Sequence, residues 1–394
     1  MGMSKMNKLN ELIHKLCPDG VEYKKIKDVF PRLRGTPITA AKMKEIESPD
    51  GEVRVFGGGK TVINAKEADI PNANIIRVPA VLVQSRGVID VVYYENPFTF
   101  KNEMWAYTAD DKITVKFLYY VLKNNIQTFR DAASGMGSLP QISLPVTEDF
   151  KVPVPPMEVQ REIVRILDNF TELSAELSAE LNARKKQYEY YRDTLLTFTD
   201  SNTKVQIMTL GTIGKVAMCK RILKSETAAN GDVPFFKIGT FGKKPDAYIS
   251  HKKFIEYKSK FSYPNVGDIL ISASGTIGRT VVFDGKPAYF QDSNIVWLAH
   301  DESVVLNRYL YYYYQLQPWN VSVGGTISRL YNDNIMNAKI MVPSIPEQER
   351  IVSILDRFDA LCNDLSTGLP AEIEARQKQY EYYRDKLLTF KELV

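Results

Sequence analysis

Apolar residues in this chain follow two kinds of pattern. From the middle onward they recur as Ile163, Ile166, Phe170, Leu173, Leu177, Leu181, Tyr188, Tyr191, Leu195 and Phe198. Steps near three and four, sustained over about five heptads, predict a long helix carrying a coiled-coil seam. A second seam runs Ile351, Ile354, Phe358, Leu361, Leu365, Leu369, Ile373, Tyr380, Tyr383, Leu387 and Phe390. Each begins just after a Pro-bearing stretch (VPVPPMEVQ and MVPSIPEQE) with Glu in the first turns, which suits the positive end of a helix dipole. Outside the seams, short β-branched runs bounded by glycines alternate with Tyr-rich stretches. These predict strands, tight turns and helices mixed within each of two blocks.

The seams contain a near-perfect internal repeat. Residues 184–198 read RKKQYEYYRDTLLTF and residues 376–390 read RQKQYEYYRDKLLTF, so only Lys185/Gln377 and Thr194/Lys386 differ. A period of about half the chain means one duplicated unit rather than a solenoid. Ile163 and Ile351 are 188 apart whereas Arg184 and Arg376 are 192 apart, so the second helix carries four extra residues near 367–370. Four residues are roughly one turn and nearly keep the seam in phase, while Gly368 and Pro370 predict a kink or brief interruption there. The spacing alone leaves parallel and antiparallel pairing open; a pseudo-twofold favours the antiparallel one.

The two blocks repeat more weakly. VEYKKI from Val21 faces VQIMTL from Val205, and VLVQSRGVI from Val81 faces ILISASGTI from Ile269, which aligns Gly87 with Gly275. Asn102 to Trp105 aligns with Asn294 to Trp297, FLYY from Phe117 with YLYY from Tyr309, and GSLPQI from Gly137 with GTISRL from Gly325. The expected architecture is therefore α+β. Two mixed α/β domains, residues 1–156 and 199–345, are separated by two long helices, 157–198 and 346–394, that form an antiparallel coiled coil. Frameworks match while loops differ, as expected of two scaffolds that bind two different things in the same way.

Charge sharpens this picture. The net charge is only +4, yet the two helical segments are acidic and the two blocks together hold 38 basic and 29 acidic residues. A basic surplus confined to the blocks points to a polyanion partner for them, with plain Lys-rich solubility as the alternative. No apolar run approaches the roughly 20 residues of a membrane span, and the N-terminus has no secretory pattern. Three scattered cysteines, Cys17, Cys219 and Cys362, fit reduced cytoplasmic thiols.

Several fragments imitate enzyme motifs and fail on spacing. Gly57, Gly58, Gly59, Lys60 and Thr61 resemble the end of a phosphate loop, but Arg54 stands where its first glycine belongs, so a β-turn beside a basic residue is expected. Asn96, Pro97 and Phe98 lack the second proline of an adenine pocket and any accompanying GxG cofactor loop. Asp19, Glu22 and Lys24 stand too close together for a nuclease site. His14, His251 and His300 cluster with no Cys or acid, so no catalytic group, cofactor or metal site is expected.

Together the turn at residues 272–278, the Gly325-Thr-Ile-Ser segment, the Pro346-Glu-Gln-Glu-Arg-Ile351 helix start and the paired Gln-Tyr-Glu-Tyr-Tyr-Arg-Asp runs carry a resemblance along essentially the whole chain. The chain resembles the specificity subunit of type I restriction–modification enzymes. The first turn departs from the family pattern, reading SRGVID where the second reads SGTIGR. The resemblance implies a non-catalytic subunit whose two target-recognition domains each read half of a split double-stranded DNA site. It implies helices that fix the gap and dock two methyltransferase subunits, with restriction–translocase subunits joining through the complex in the cytoplasm. A coiled-coil scaffold that presents two protein-binding domains and never touches DNA is the rival.

Reading base edges needs Arg, Lys, Asn or Gln, with further basic groups on phosphates. In the first block the candidates are Lys60, Arg86, Lys101, Arg130 and Gln141. In the second they are Lys237, Lys243, Lys244, Lys252, Lys253, Arg279 and Arg329. Arg86, Gln141, Arg279 and Arg329 rank first because they lie in or beside the repeated turns; for each, a solvated surface charge is the plain alternative. Tyr120 and the Tyr311, Tyr312, Tyr313 and Tyr314 tract read as helix core rather than stacking platforms. Seam packing accounts for Tyr188, Tyr191, Tyr380 and Tyr383. It does not account for the matched outer positions Gln187, Glu189, Tyr190 and Asp193 with Gln379, Glu381, Tyr382 and Asp385. An identical outer face on both helices suits two copies of one partner, and a duplication not yet diverged is the alternative.

Overall fold

The computed structural model describes residues 2–59, 61–134, 139–198, 204–321 and 329–393. The chain divides into two compact units, Met1–Ser178 with Ile373–Val394, and Ala179–Glu372. No helix among the described residues is long and apolar enough to cross a membrane.

In the first unit a four-stranded antiparallel sheet has the order Arg32–Leu33, Met104–Tyr107, Ala80–Gln84, Asp90–Tyr94. A three-stranded sheet pairs Val53–Phe56 antiparallel with Val62–Ala65 and parallel with Phe98–Phe100. The strand Ala80–Gln84 is buried on both faces, so it reads as a continuous apolar run. Val81 and Val83 join the core of the helix Lys112–Asn124 and of Val159, Ile163 and Leu167. Ala80 and Leu82 join Phe56, Phe98 and Phe100 on the other side, as the period of two requires.

The second unit repeats this plan by itself. Its four-stranded order is Lys215–Ala217, Ile295–Ala299, Ile269–Ser272, Thr280–Val282, and its three-stranded sheet pairs Val233–Phe236 with Tyr248–Ile249 and, in parallel, with Tyr289–Phe290. Ile269 and Ile271 face the helix Asn307–Tyr314, while Leu270 faces Phe235 and Phe290. The Tyr tract is core: Tyr309, Tyr312 and Tyr314 are fully buried.

The strand registers correct two details of the sequence alignment. Met104 pairs with Gln84, whereas Ile295 pairs with Ser272, so Trp105 and Trp297 are one place out of step. Because side chains alternate, Trp105 packs on the helix side and Trp297 on the opposite side. In the repeated turn, Asp90 pairs with Gln84 and the Arg279 carbonyl accepts from the Ser272 amide at 2.9 Å. The second turn is thus one residue longer, Gly278 being the extra one, and Arg279 stands where the first unit has Asp90.

The central helix Met157–Thr197 is continuous, and Phe198 at φ 53° ends it. Its first half packs in the first unit, where Phe170 stacks on Tyr383 with ring centroids 5.7 Å apart and lies 6.2 Å from Tyr380. Leu387 and Leu388 of the helix Leu369–Leu388 are buried in the same core. Its second half packs in the second unit, where Tyr191 stacks on Phe358 at 5.5 Å and Tyr188 lies at 6.5 Å. There Cys362 lies in the field of Lys185 and Arg184 while Phe358 meets Tyr188 and Tyr191. The helix Ile345–Asn363 therefore runs antiparallel to the central one. Each copy of the repeated segment closes one unit, Tyr188 and Leu196 in the second and Leu387 and Leu388 in the first.

The expected interruption is a built turn. The helix Ile345–Asn363 stops before Asp364, whose carboxylate accepts from the Ser366 amide at 2.7 Å and the Ser366 hydroxyl at 2.6 Å. Those bonds, with two from Thr367, hold the Asp364 carboxyl well below the usual range. The apolar spacing puts Leu365 in the seam, but it sits in this turn at 77% exposure, because the helix has already ended at Asn363 and the backbone is extended at Asp364.

Candidate nucleic-acid interface

In each unit the turn after the central strand meets a second turn across a single antiparallel bridge, Arg86 with Gln141 in the first unit and Ser274 with Arg329 in the second. Flanking backbone bonds tie each pair down, from Ile142 N to Ser85 O at 2.9 Å and from Leu330 N to Ala273 O at 2.8 Å. Gly87 at φ 79° and Gly275 at φ 66° make the same left-handed corner, which a side chain would strain.

Beside this corner each unit has an open depression at the same place. In the first it is about 600 Å³ and is lined by Gly58, Gly59, Arg86, Gly87, Lys101 and Glu103, among others. In the second it is about 250 Å³ and is lined by Ile238, Gly239, Lys243, Gly275, Thr276 and Arg279. Gly58 and Gly59 follow Phe56 by the same steps as Ile238 and Gly239 follow Phe236, and both phenylalanines start from matching parallel pairs. The frame is shared and the side chains differ.

The sequence candidates fall into three groups. Arg86, Lys101, Arg130 and Gln141 are brought together. Arg86 and Gln141 are exposed, Lys101 pairs with Glu103 at 3.2 Å, and the Arg130 Nε bonds the carbonyl of Ile89 in the same turn at 3.2 Å. In the second unit Lys243 and Arg279 line the depression, while Arg329 is bridged to Ser274 in the turn beside it. Arg279 and Arg329 also brace the turns, donating to the carbonyls of Phe241 at 3.0 Å and Ser293 at 3.2 Å. Lys243 and its exposed neighbour Lys244 make no side-chain hydrogen bond or ion pair with any described residue. Lys237 is neutralised by Asp246 at 2.8 Å. Lys252 and Lys253 sit on the helix His251–Lys260 and do not line the depression; Lys253 is bound to Glu226 and lies 4.7 Å over the Tyr257 ring. Lys60 and the Gly325-Thr-Ile-Ser segment lie outside the described residues. The β-turn expected there includes Lys60 and so lies partly outside the described residues; on either side of it the Thr61 amide donates to the Gly58 carbonyl at 3.4 Å and the Gly57 amide to the Thr61 carbonyl at 2.8 Å.

The outer helix positions are matched as well. Tyr190 and Tyr382 are 63% and 62% exposed, and Asp193 and Asp385 pair with Arg192 and Arg384 at 2.7 and 2.9 Å. Gln187 and Gln379 accept from Arg184 and Arg376 at 2.8 and 3.2 Å. Glu381 accepts from Gln377 at 2.8 Å. Its counterpart Glu189 is exposed, and Lys185 stands where Gln377 does.

Sequence reading missed Glu103 and a latch repeated in both units. Tyr120 and Lys116 donate to Asp168 at 2.6 and 2.8 Å. Tyr312 and Arg308 donate to Asp356 at 2.5 and 2.7 Å. Burial first, then the bond to a carboxylate, raises both tyrosine pKa values. The matched positions 116/308, 120/312 and 168/356 were a readable signal, because a polar trio recurs at the repeat spacing.

The chain matches the family described as type I restriction modification DNA specificity domain over residues 18–184 and 202–375. It is 53% identical over 302 residues to a putative type I restriction enzyme specificity subunit of Haemophilus influenzae, covering 74% of this chain and 77% of that one. It is 36% identical over 299 residues to the EcoR124I/EcoR124II specificity subunit of Escherichia coli, covering 71% and 72%. Among solved structures, the type I restriction-modification system S subunit from M. genitalium superposes with a TM-score of 0.60 at 16% identity, covering 94% of this chain and 96% of that chain.

Proposed function

The chain belongs to the family of type I restriction–modification DNA specificity subunits, which is non-catalytic, and from that membership we propose how its parts divide the work. Residues 1–156 and 199–345 are two target-recognition domains, each reading one half of a split site in double-stranded DNA. Residues 157–198 and 346–394 are the helices that set the unread gap. Their matched outer faces dock two methyltransferase subunits, which methylate adenine, and the restriction–translocase subunits join through that cytoplasmic complex. One observation carries this reading: the same corner-and-depression frame occurs in both units with different basic side chains in it. A pure protein scaffold has no use for Arg86 with Lys101, or Lys243 with Arg279, gathered at equivalent depressions.

Exchanging residues 199–345 for the corresponding block of another such subunit, then sequencing methylated adenines in cells that express the system, tests it. One half of the methylated motif changes and the other stays. A motif unaltered by the exchange, or altered in both halves, defeats the proposal.

A further inference from the structure

The first depression contains something a phosphate-binding surface would avoid. Glu103 lines it beside Arg86 and Lys101, whereas no acidic side chain among the described residues lines its counterpart. A carboxylate aimed at a polyanion raises the energy of the complex unless it gains a partner there. Lys101 offsets part of that repulsion: its side chain is 17% exposed and its Nζ lies 3.2 Å from Glu103 Oε2. The arrangement is built rather than incidental. The Glu103 carbonyl takes the Ser85 hydroxyl, which fixes the backbone at the strand entry. Gly58 leaves room above, since a Cβ there would stand 3.0 Å from Oε2. The Glu103 side chain is 41% exposed, and a carboxylate has about four acceptor sites, so one lysine does not saturate it.

An ionised carboxylate only accepts. In the major groove the exocyclic amino groups of cytosine (N4) and adenine (N6) donate, while guanine O6 and N7 and thymine O4 accept and would repel it. We propose that Glu103 is a specificity-determining residue, held by Lys101 and accepting from the amino group of one cytosine or adenine in the half-site read by the first unit. The two readers then differ in kind at equivalent places: a mixed acid–base depression in one unit, a basic one in the other. This rests on the DNA-reading role proposed above. A chain that directs no bipartite methylation defeats that role, whereas a bipartite motif indifferent to Glu103 defeats this inference alone.

The test compares methylated motifs in cells expressing the whole system with wild-type chain, Glu103→Gln or Glu103→Ala. The expected motif has one position, in the half that survives exchange of residues 199–345, restricted to A or C in the wild type. Glu103→Gln, whose amide can donate, admits G or T there, with discrimination falling on the order of tenfold or more. All other positions stay as they were. A motif identical in all three chains overturns the proposal, as does relaxation in the other half-site. If either variant fails to assemble, the wild-type complex still decides. Duplexes in which each cytosine or adenine of that half-site is replaced in turn by an analogue lacking the exocyclic amino group should show one position that loses roughly tenfold or more in binding. No such position overturns the proposal.

Discussion

The paired latches make a quantitative claim about how each recognition block is fastened to its helix. Take Asp356→Ala. It removes the acceptor of Tyr312, a side chain with no solvent exposure, and the main partner of Arg308. The hydroxyl bond to a carboxylate is worth about 1.5–3 kcal/mol and strands a buried donor when lost. The arginine pair adds little, because Arg308 and Asp356 are 37% and 43% exposed and Arg308 keeps Asp359 at 3.5 Å. The expected loss is about 2–3 kcal/mol in the second unit, or a melting shift of roughly 4–12 °C for a unit of this size. Tyr312→Phe removes the same bond but leaves the ion pair, so it should cost about 1–2 kcal/mol. The double variant should cost little more than Asp356→Ala alone, because both changes delete one shared interaction. Thermal unfolding of the four chains, with hydrogen exchange of the amides of Asn307–Tyr314 to localise the effect, measures this cycle. Strict additivity, or exchange that rises only outside the second unit, would refute the latch.

Charge reversal at Lys243 and Lys244 should weaken duplex binding and flatten the plot of log affinity against log salt by about 0.9 for each phosphate no longer neutralised; an unchanged slope places both lysines off the DNA. These two are better probes than Arg279 and Arg329, whose guanidiniums also brace turn carbonyls. Deleting residues 367–370 removes Gly368 and two of the groups that Asp364 holds. The methylated motif should then change its gap length or vanish, and a motif with the same gap would remove the helices as spacers. Burial raises the Asp268 carboxyl above its ordinary value of 3.8. A raised folded-state pKa gives stability that is fully present below the unfolded value and lost as pH rises through the folded one. Asp268→Asn should therefore flatten the fall in melting temperature of the second unit from about pH 4 upward, and parallel wild-type and variant curves would contradict this.

How much of this was legible from residues depended on what a duplication preserves. Packing survives it, so the seams, the buried Tyr tract and the glycine corners could be read from spacing alone. Register does not announce itself. Trp105 and Trp297 look equivalent as letters, yet one lies on the helix side and the other opposite, because a one-residue slip inverts a strand's faces. Arg279 reads as part of a shared turn, but pairing gives it the place that Asp90 holds in the first unit, and Asp90 is bound to Lys123 at 2.6 Å. Leu365 keeps the apolar rhythm and still leaves the seam, since the Asp364 turn overrides a periodicity that assumes unbroken helix. Glu103 carries the sign opposite to the one that marks a polyanion surface, so charge patterning passes over it. Which side chains share a depression is decided by long-range strand pairing, and that is the part of a fold local patterns carry least.

The repeated helical segment can now be divided by the work its residues do. Tyr188 and Tyr191 pack on Phe358, and Tyr380 and Tyr383 on Phe170, so selection for two closed cores is enough to hold these four in place. Arg192 and Arg384 lie over the rings of Tyr188 and Tyr380 at 5.8 and 5.6 Å, and stacking retains them too. Nothing of that kind among the described residues reaches Tyr190 and Tyr382. Each touches the next tyrosine edge-on at 5.5 and 5.3 Å and otherwise stands nearly two-thirds in water. Burying such a ring against a partner is among the larger single gains available to an interface. Two of them, equally exposed and equally flanked by an acid–arginine pair, fit two copies of one docking subunit better than an idle remnant of duplication. Tyr190→Ala and Tyr382→Ala should each weaken capture of one methyltransferase copy by about 1–2 kcal/mol without changing the melting temperature. Titration of each variant with the methyltransferase, read by native mass, distinguishes the loss of one copy from the loss of both. Full two-copy binding by the double variant would return these rings to the unexplained part of the repeat.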